Sequence, residues 1–415
     1  MTTSPDSRVL ASVPGKPERL VTRPLVQRLV TIFGASASFY LLLSVAPLYA
    51  GQSAAGAVTG SLMIATVIGE LLTPWLTVRF GCAAVLGGGL ILLGGPAFVL
   101  TASHAEWWIV VVCAARGLGF AATLVAGGSI TALLLPPGRK GEGLALAGIV
   151  SGLPALVALP ASLWLARHAG YTGISVAAGA AAIATIVAVP GLPGRQGDIK
   201  PARVLASFGQ LSFMRPAVVF FATTTAAGII VTFIPFALAG PAAYLASIAL
   251  LAQNATALAA RWVAGRLEDR TGPGTLITPG LALAALGTLL MAGIPDSTLV
   301  VSGVALFGIG FGLAQNATLS AMYHRAPPAR YPVVTSIWNA AYDGGMGAGA
   351  AAFGLLLPTC GYRLGFALTA GLMLTAVPLA WREHRQAHRD DRFTDPPGQG
   401  GDGRLGTPAA DRDLS

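Results

Sequence analysis

The chain has 415 residues, of which 54% are hydrophobic and only 10% charged, and its mean hydropathy is +0.69. A soluble domain carries about 25% charged residues, so this chain cannot cover a folded surface in water; its solvent is lipid. The net charge of +9 does not mark a nucleic-acid binder, because the bases sit in short polar gaps between apolar runs rather than on one face.

Residues 1–24 are polar and basic, with Pro14, Pro17 and Pro24. They lack the apolar core and small-residue cleavage site of a signal peptide, which predicts a cytosolic tail closing at residue 28. Six apolar runs follow, at 29–49, 54–77, 83–101, 107–134, 143–166 and 172–190. Residues 191–215, with Pro193, Arg195, Lys200 and Pro201, read as a cytosolic linker. Six more runs span 216–238, 243–264, 275–294, 298–321, 332–357 and 364–381. Residues 382–415 are rich in Pro, Gly, Asp and Arg and are predicted to be a disordered cytosolic tail. Each run is near the roughly 20 residues a helix needs to cross about 30 Å of hydrocarbon. Helices are required because lipid offers the backbone no hydrogen-bond partners. The expected fold is therefore all-α and membrane-integral, with twelve transmembrane helices in six-helix bundles at 29–190 and 216–381.

The two halves repeat at an offset of 191 residues. Arg79 and Gly81 recur as Arg270 and Gly272, and Gly117-Leu118-Gly119-Phe120 as Gly308-Ile309-Gly310-Phe311. Pro136-Pro137 and Arg139 recur as Pro327-Pro328 and Arg330, and Gly170-Tyr171 as Gly361-Tyr362. Four matches at one unbroken spacing describe two parallel bundles around a central path. With the N-terminus in the cytosol, 22 Lys and Arg fall on the cytosolic side and only Arg167 and Arg363 outside. The positive-inside rule then puts both termini in the cytosol.

The eighth run ends in Gly265-Arg266-Leu267-Glu268-Asp269-Arg270-Thr271-Gly272. This resembles the cytosolic loop signature of the major facilitator superfamily: Gly, a variable stretch, Asp-Arg, a spacer and Gly. Arg116 with Gly117 and Gly119 resembles the superfamily's second motif, and the resemblance covers about residues 29–381. Within the superfamily the chain looks most like bacterial drug- and sugar-efflux-type permeases, by cues such as Pro136-Pro137 and Tyr342-Asp343-Gly344. Three departures stand out. Val78 replaces the loop Asp in the first half, only Pro160 remains of the antiporter motif, and the first run has no carboxylate. The resemblance implies a cytosolic gate of Gly265, Arg266, Asp269, Arg270 and Gly272, with Arg79 and Gly81 as a weaker copy. Asp269 would cap a helix or pair with Arg; as a bland alternative it is a solvated charge.

Four ionisable residues lie within the runs: Glu70, Arg116, Arg261 and Asp343. Each costs about 2.5–3.5 kcal/mol at mid-helix unless water or a partner offsets it. Glu70 and Arg261 stand 191 residues apart and carry opposite charges; packing salt bridges or snorkelling would also account for them. Asp343 is the expected proton carrier, with Arg116 its expected counter-charge and Glu70 the fallback carrier. Gly344, Gly345, Gly347 and Gly349 beside it also suit close helix packing. Polar side chains expected to line a cavity are Tyr40, Gln253, Asn254, Gln315, Asn316, Trp338, Asn339 and Tyr342, interhelical hydrogen bonding being the alternative for each.

Cys82, Cys113 and Cys360 show no pairing or metal-ligand spacing, all five histidines lie outside the runs, and no nucleophile has a base beside it. The expectation is a transporter rather than an enzyme, without cofactor or metal. Its expected partners are the bilayer, a small-molecule substrate and a proton, without nucleic acid, and it is expected to be a monomer in the cell membrane. Alternating access with proton-coupled export of a small organic compound is the expected activity. Uptake by proton symport and a non-transporting membrane sensor are the alternatives.

Overall fold

The computed structural model describes residues 20–136, 139–194, 211–240, 243–327 and 330–383. Most of the expected tails and most of the linker lie outside those residues.

The described chain folds as α1 (Arg23–Leu43), α2 (Val45–Ala50), α3 (Gln52–Phe80), α4 (Cys82–Phe98), α5 (Glu106–Leu134) and α6 (Lys140–Ile183), then α7 (Leu211–Ala237), α8 (Tyr244–Thr271), α9 (Ile277–Leu290), α10 (Ser297–His324) and α11 (Tyr331–Thr375). Short 3-10 turns extend several of them. α1 and α2 form one stretch with a turn at Ser44. α6 and α11 each break at a glycine: Gly170 has φ 73° and ψ 167°, and Gly361 φ 65° and ψ 175°. Only glycine adopts such angles without strain, and the two breaks lie 191 residues apart. With both sides of each break counted, and α1 with α2 taken as one, the described residues carry twelve helical stretches. Eight helical segments, two of them broken at these glycines, are long and apolar enough to cross a membrane.

Several boundaries differ from the sequence reading. α1 starts at Arg23, so the segment assigned to the tail up to residue 28 includes a helical turn and a half. α7 begins at Leu211, inside the expected linker. α8 continues to Thr271, so the Gly265–Arg270 signature is helical rather than a loop. Its residues are mostly good helix formers, and Gly272, at φ 88°, ends the helix with its N–H on the Glu268 carbonyl. Gly81, at φ 85°, ends α3 in the same way on the Thr77 carbonyl.

The burial pattern requires lipid. Val187 and Leu355 are each 82% exposed, while Arg116 is 2% exposed and many threonines are buried. In water this would leave a belt of large apolar side chains unburied.

The repeated Gly-x-Gly-Phe is a packing device. A Cβ on Gly117 would run into the Leu62 carbonyl of α3, and one on Gly308 into the Gln253 carbonyl of α8. A Cβ on Gly119 would strike Leu93 of α4, and one on Gly310 would strike Ala284 of α9. Leu62 and Gln253 are themselves 191 residues apart, as are Leu93 and Ala284. In each bundle the fourth span therefore lies backbone-close to the second and third, an approach that small residues permit.

The bundles meet where α3 packs on α11 and α6 on α8. Their firmest contacts lie away from the face carrying Arg79, Arg139, Arg266, Arg270, Arg325 and Arg330, here the basic face. Gly56 abuts Ala350 and Gly354. The hydroxyls of Thr59 and Thr232 hydrogen-bond at 2.9 Å, Ser44 donates to the Val231 carbonyl at 2.7 Å, and Arg167 donates to the Ala243 carbonyl at 2.7 Å. These contacts close the far face. Toward the basic face the bundles part around a cavity.

Candidate functional site

The cavity holds about 420 Å³. α1, α5 and α6 line it from the first bundle, and α8, α10 and α11 from the second. Phe120 and Phe311, one repeat apart, form opposing apolar walls. Phe120 stacks on Phe39 at 3.9 Å between ring centroids, and Phe311 on Phe307 at 5.7 Å. Between these walls come hydroxyls from Ser36, Tyr40, Thr123, Thr131, Ser151 and Tyr342, and amides from Asn254 and Gln315. Such a mixture of apolar walls and sparse polar groups suits a small organic solute.

Of the side chains expected at the cavity, Tyr40, Asn254, Gln315, Tyr342 and Arg261 line it. Gln253, Asn316, Trp338 and Asn339 do not. Gln253 is 8% exposed and packs against α10. Asn316 donates to Glu268 at 3.0 Å. Trp338 stacks on Phe220 at 4.5 Å and donates to Thr318 at 3.1 Å. Asn339 faces Glu70. Helical phase is the reason: neighbours in sequence point about 100° apart, so only one of Gln253 and Asn254, and one of Gln315 and Asn316, can face the path.

Glu70 and Asp343 come together where α3 meets α11. They are 9% and 5% exposed and lie close to one another across the bundle boundary. The Asn339 amide is the polar group that faces the Glu70 carboxyl, and no salt bridge reaches either acid among the described residues. Farther from the basic face the same helix pair is zipped by small residues, with Gly60 against Ala351 and Gly347 against Met63. Gly345 and Gly349 instead lie against Thr224 and Thr225 of α7, so these glycines serve close packing. The carboxyl pair thus ends a close-packed seam beside the cavity. Tyr40 and Tyr342, both lining the cavity, lie near both Asp343 and Arg261.

Arg116 is not the counter-charge to Asp343. Its guanidinium donates to the carbonyls of Leu93 on α4 and Ser38 on α1, each at 2.8 Å. It braces three spans of the first bundle from within. The expectation rested on depth alone, and carbonyl acceptors leave no mark in a sequence.

Arg28, expected in the tail, is instead a buried wall of the cavity, 4% exposed. Its Nε donates to the Gly127 carbonyl at 2.9 Å and to Thr131 at 3.1 Å, and its Nη1 to Thr31 at 2.8 Å. The signal that could have found it is a guanidinium placed just before an unbroken apolar run.

At the basic face the structure holds Glu268 where the signature pointed to Asp269. Glu268 is 7% exposed and accepts from the Gly274 N–H at 2.9 Å and from Asn316 at 3.0 Å, tying α8 to the next turn and to α10. Asp269 is exposed and, with Tyr331 at the start of α11, lines a groove. Arg266 packs over Trp262 at 3.3 Å, and Arg79 over Trp75 at 5.6 Å. Cationic side chains stacked on tryptophan at helix ends suit a membrane interface.

Two repeated helical bundles around a central cavity, with charged groups buried where they meet, define a multi-pass membrane carrier. The sequence profile of the Major Facilitator Superfamily matches residues 28–350, and the chain belongs to that superfamily. It is also similar to the cyanate transport protein CynX of Escherichia coli (strain K12), at 33% identity over 110 residues. That match takes in 26% of this chain and 27% of the relative, about a quarter of its length. The fold resembles the nucleoside transporter NupG, with TM-score 0.69 and 13% identity over 90% of this chain and all of that one. It also resembles a bacterial homologue of the human lysosomal transporter Spinster, solved inward-facing and unoccupied. There the TM-score is 0.72 at 12% identity, over 89% of this chain and 97% of that one.

Proposed function

We propose that the chain is a proton-coupled secondary transporter of a small organic solute in the cell membrane, with its basic face and both termini in the cytosol. The observation that carries this reading is the Glu70–Asp343 pair. Two carboxyls are buried at the boundary between bundles that must move past one another, beside a cavity shared by both. Ionisable groups this deep in a span mark ion pathways and proton relays, in which such a carboxyl carries a proton. A boundary that opens to one face and then the other can load that proton on one side and release it on the other.

Export of a drug, metabolite or natural product is the reading that follows from the likeness to efflux permeases. Uptake by symport is the second, and the match to a cyanate transport protein favours it. Cyanate is a small anion, and an inside-negative potential drives an anion outward by about 2.3 kcal/mol per 100 mV. Such a solute needs an accompanying proton to come in, and none to leave.

In proteoliposomes, a pH gradient should drive wild-type transport, and Asp343→Asn should abolish that drive while leaving energy-independent exchange measurable. Full gradient-driven transport in Asp343→Asn would remove the residue from the mechanism. The same result in a Glu70→Gln, Asp343→Asn double variant would end the proton-coupled reading. Cells expressing the protein should accumulate less of the solute than controls if it exports and more if it imports.

A further inference from the structure

Resting on the transporter reading above, we infer that the cavity is an anion site: its solute is a small organic anion held between Arg28 of the first bundle and Arg261 of the second. Both guanidiniums line the cavity, and among the described residues no carboxylate does.

Neither charge is balanced within the described protein. The hydrogen bonds of Arg28 go to a carbonyl and two hydroxyls, all neutral. They satisfy its donors but leave its charge, which ordinary burial would penalise. Gly127 makes the seat: a Cβ there would strike the Arg28 guanidinium. Arg261 is exposed to the cavity and forms no ion pair or hydrogen bond among the described residues. The acid Asp343 lies near the same two tyrosines, Tyr40 and Tyr342, but forms no salt bridge with Arg261 among the described residues. A cation this deep without a partner is expensive, and in membrane proteins such residues mark a solute pathway.

The two sites sit at different depths. At 1.5 Å per residue, Arg28 lies about 7.5 Å along α1 from its basic-face end, and Arg261 about 15 Å along α8 from the same face. An anion would pass the rigidly held Arg28 and reach the free Arg261. There the hydroxyls of Tyr40 and Tyr342 and the amides of Asn254 and Gln315 could donate to it. Because the two cations belong to different bundles, a bound anion would also relieve their mutual repulsion and favour closure around it.

The test uses the full-length protein with Cys82, Cys113 and Cys360 replaced and one cysteine placed at Asn254. Its rates of modification by anionic sulfonatoethyl and cationic trimethylammonioethyl methanethiosulfonate are compared with those of a cysteine at exposed Arg270. The anionic reagent should be favoured in the cavity by about tenfold or more relative to that reference, as expected for unit charges less than about 10 Å apart at intermediate dielectric. Arg261→Gln should remove most of that preference. Since Arg261 makes no structural bonds, that variant should fold, whereas Arg28→Gln could act through packing. A cavity that favours the cationic reagent, or a preference unchanged in Arg261→Gln, would overturn the inference. The transporter reading fails separately. If the wild type moves a neutral or cationic solute under a proton gradient, that reading stands and this one falls. If the cavity favours the anionic reagent in a protein that moves no solute, the outcome is reversed.

Discussion

Replacing Gly56 with Ala should tip the conformational balance away from the state described here. A Cβ at that position would sit 2.5 Å from the Ala350 carbonyl oxygen and 3.2 Å from the Gly354 Cα. Non-bonded heavy atoms sit comfortably at about 3.5 Å, so α3 and α11 would have to part by roughly 1 Å. Overpacking of this kind costs about 1–3 kcal/mol. Gly56 belongs to one bundle and its neighbours to the other, so the cost falls on far-face closure rather than on the folding of either bundle. Converted to populations, it moves the balance toward the far-face-open state by about 5–150-fold. A cysteine at Asn254, in a chain without the native cysteines, should then react correspondingly faster with an impermeant thiol reagent applied from the far face. Gly88→Ala is the matched control, since nothing lies within 4 Å of a Cβ there. Far-face labelling and transport both unchanged in Gly56→Ala would refute the assignment of this contact as the far-face closure.

Glu268→Ala should lower the melting temperature of the purified protein, because it leaves the Gly274 N–H without its partner at a cost of about 1–3 kcal/mol. Asp269→Asn should leave melting unchanged but reduce transport, read as solute flux at equal membrane abundance; normal flux would make it a solvated charge. Arg116→Met removes two charge-assisted bonds of about 1.5–3 kcal/mol each, partly offset by relief of a buried charge. It should lower melting temperature and abundance together while the folded remainder still exchanges solute. Reporter fusions after residues 24, 205 and 385 should all report cytosol; an external signal at 205 would break the six-plus-six division.

Much of the fold was legible because lipid constrains sequence harshly. A span must be apolar and about 20 residues long, and bases must collect on one face. The 191-residue offset was legible because close packing leaves glycines no substitute at Gly117, Gly119, Gly308 and Gly310. The site was less legible. A helix surrounded by lipid and protein is apolar nearly all round, so its sequence does not say which side faces the cavity. That ambiguity left Gln253 beside Asn254, and Gln315 beside Asn316, as equal candidates. It also gave no sign of Glu268, which stands one step of helical phase from Asp269 and turns inward. Arg28 was hidden by its position, because the apolar run begins just after it and a base at a run's edge reads as tail.

The division between repeat and exception also separates scaffold from chemistry. Features kept at the offset of 191 are mechanical: the glycines that draw the second, third and fourth spans together, the breaks at Gly170 and Gly361, and the helix ends at Gly81 and Gly272. Two bundles built alike can rock against one another with either face closed. Among the features not kept are the buried charges. Arg28 has Val219 at the matching place, Arg116 has Phe307, and Asp343 has Gly152. Glu70 and Arg261 match in place and oppose in sign. A symmetric scaffold with charges of one sign on both sides would repel a like-charged solute equally from each half, and would hold no proton where the halves meet. Placing the acid of one half on the boundary with α11, and the base of the other half in the cavity, keeps the two charges from cancelling each other. On the proton-coupled reading proposed above, the proton and the solute would then have separate seats at the one boundary that moves.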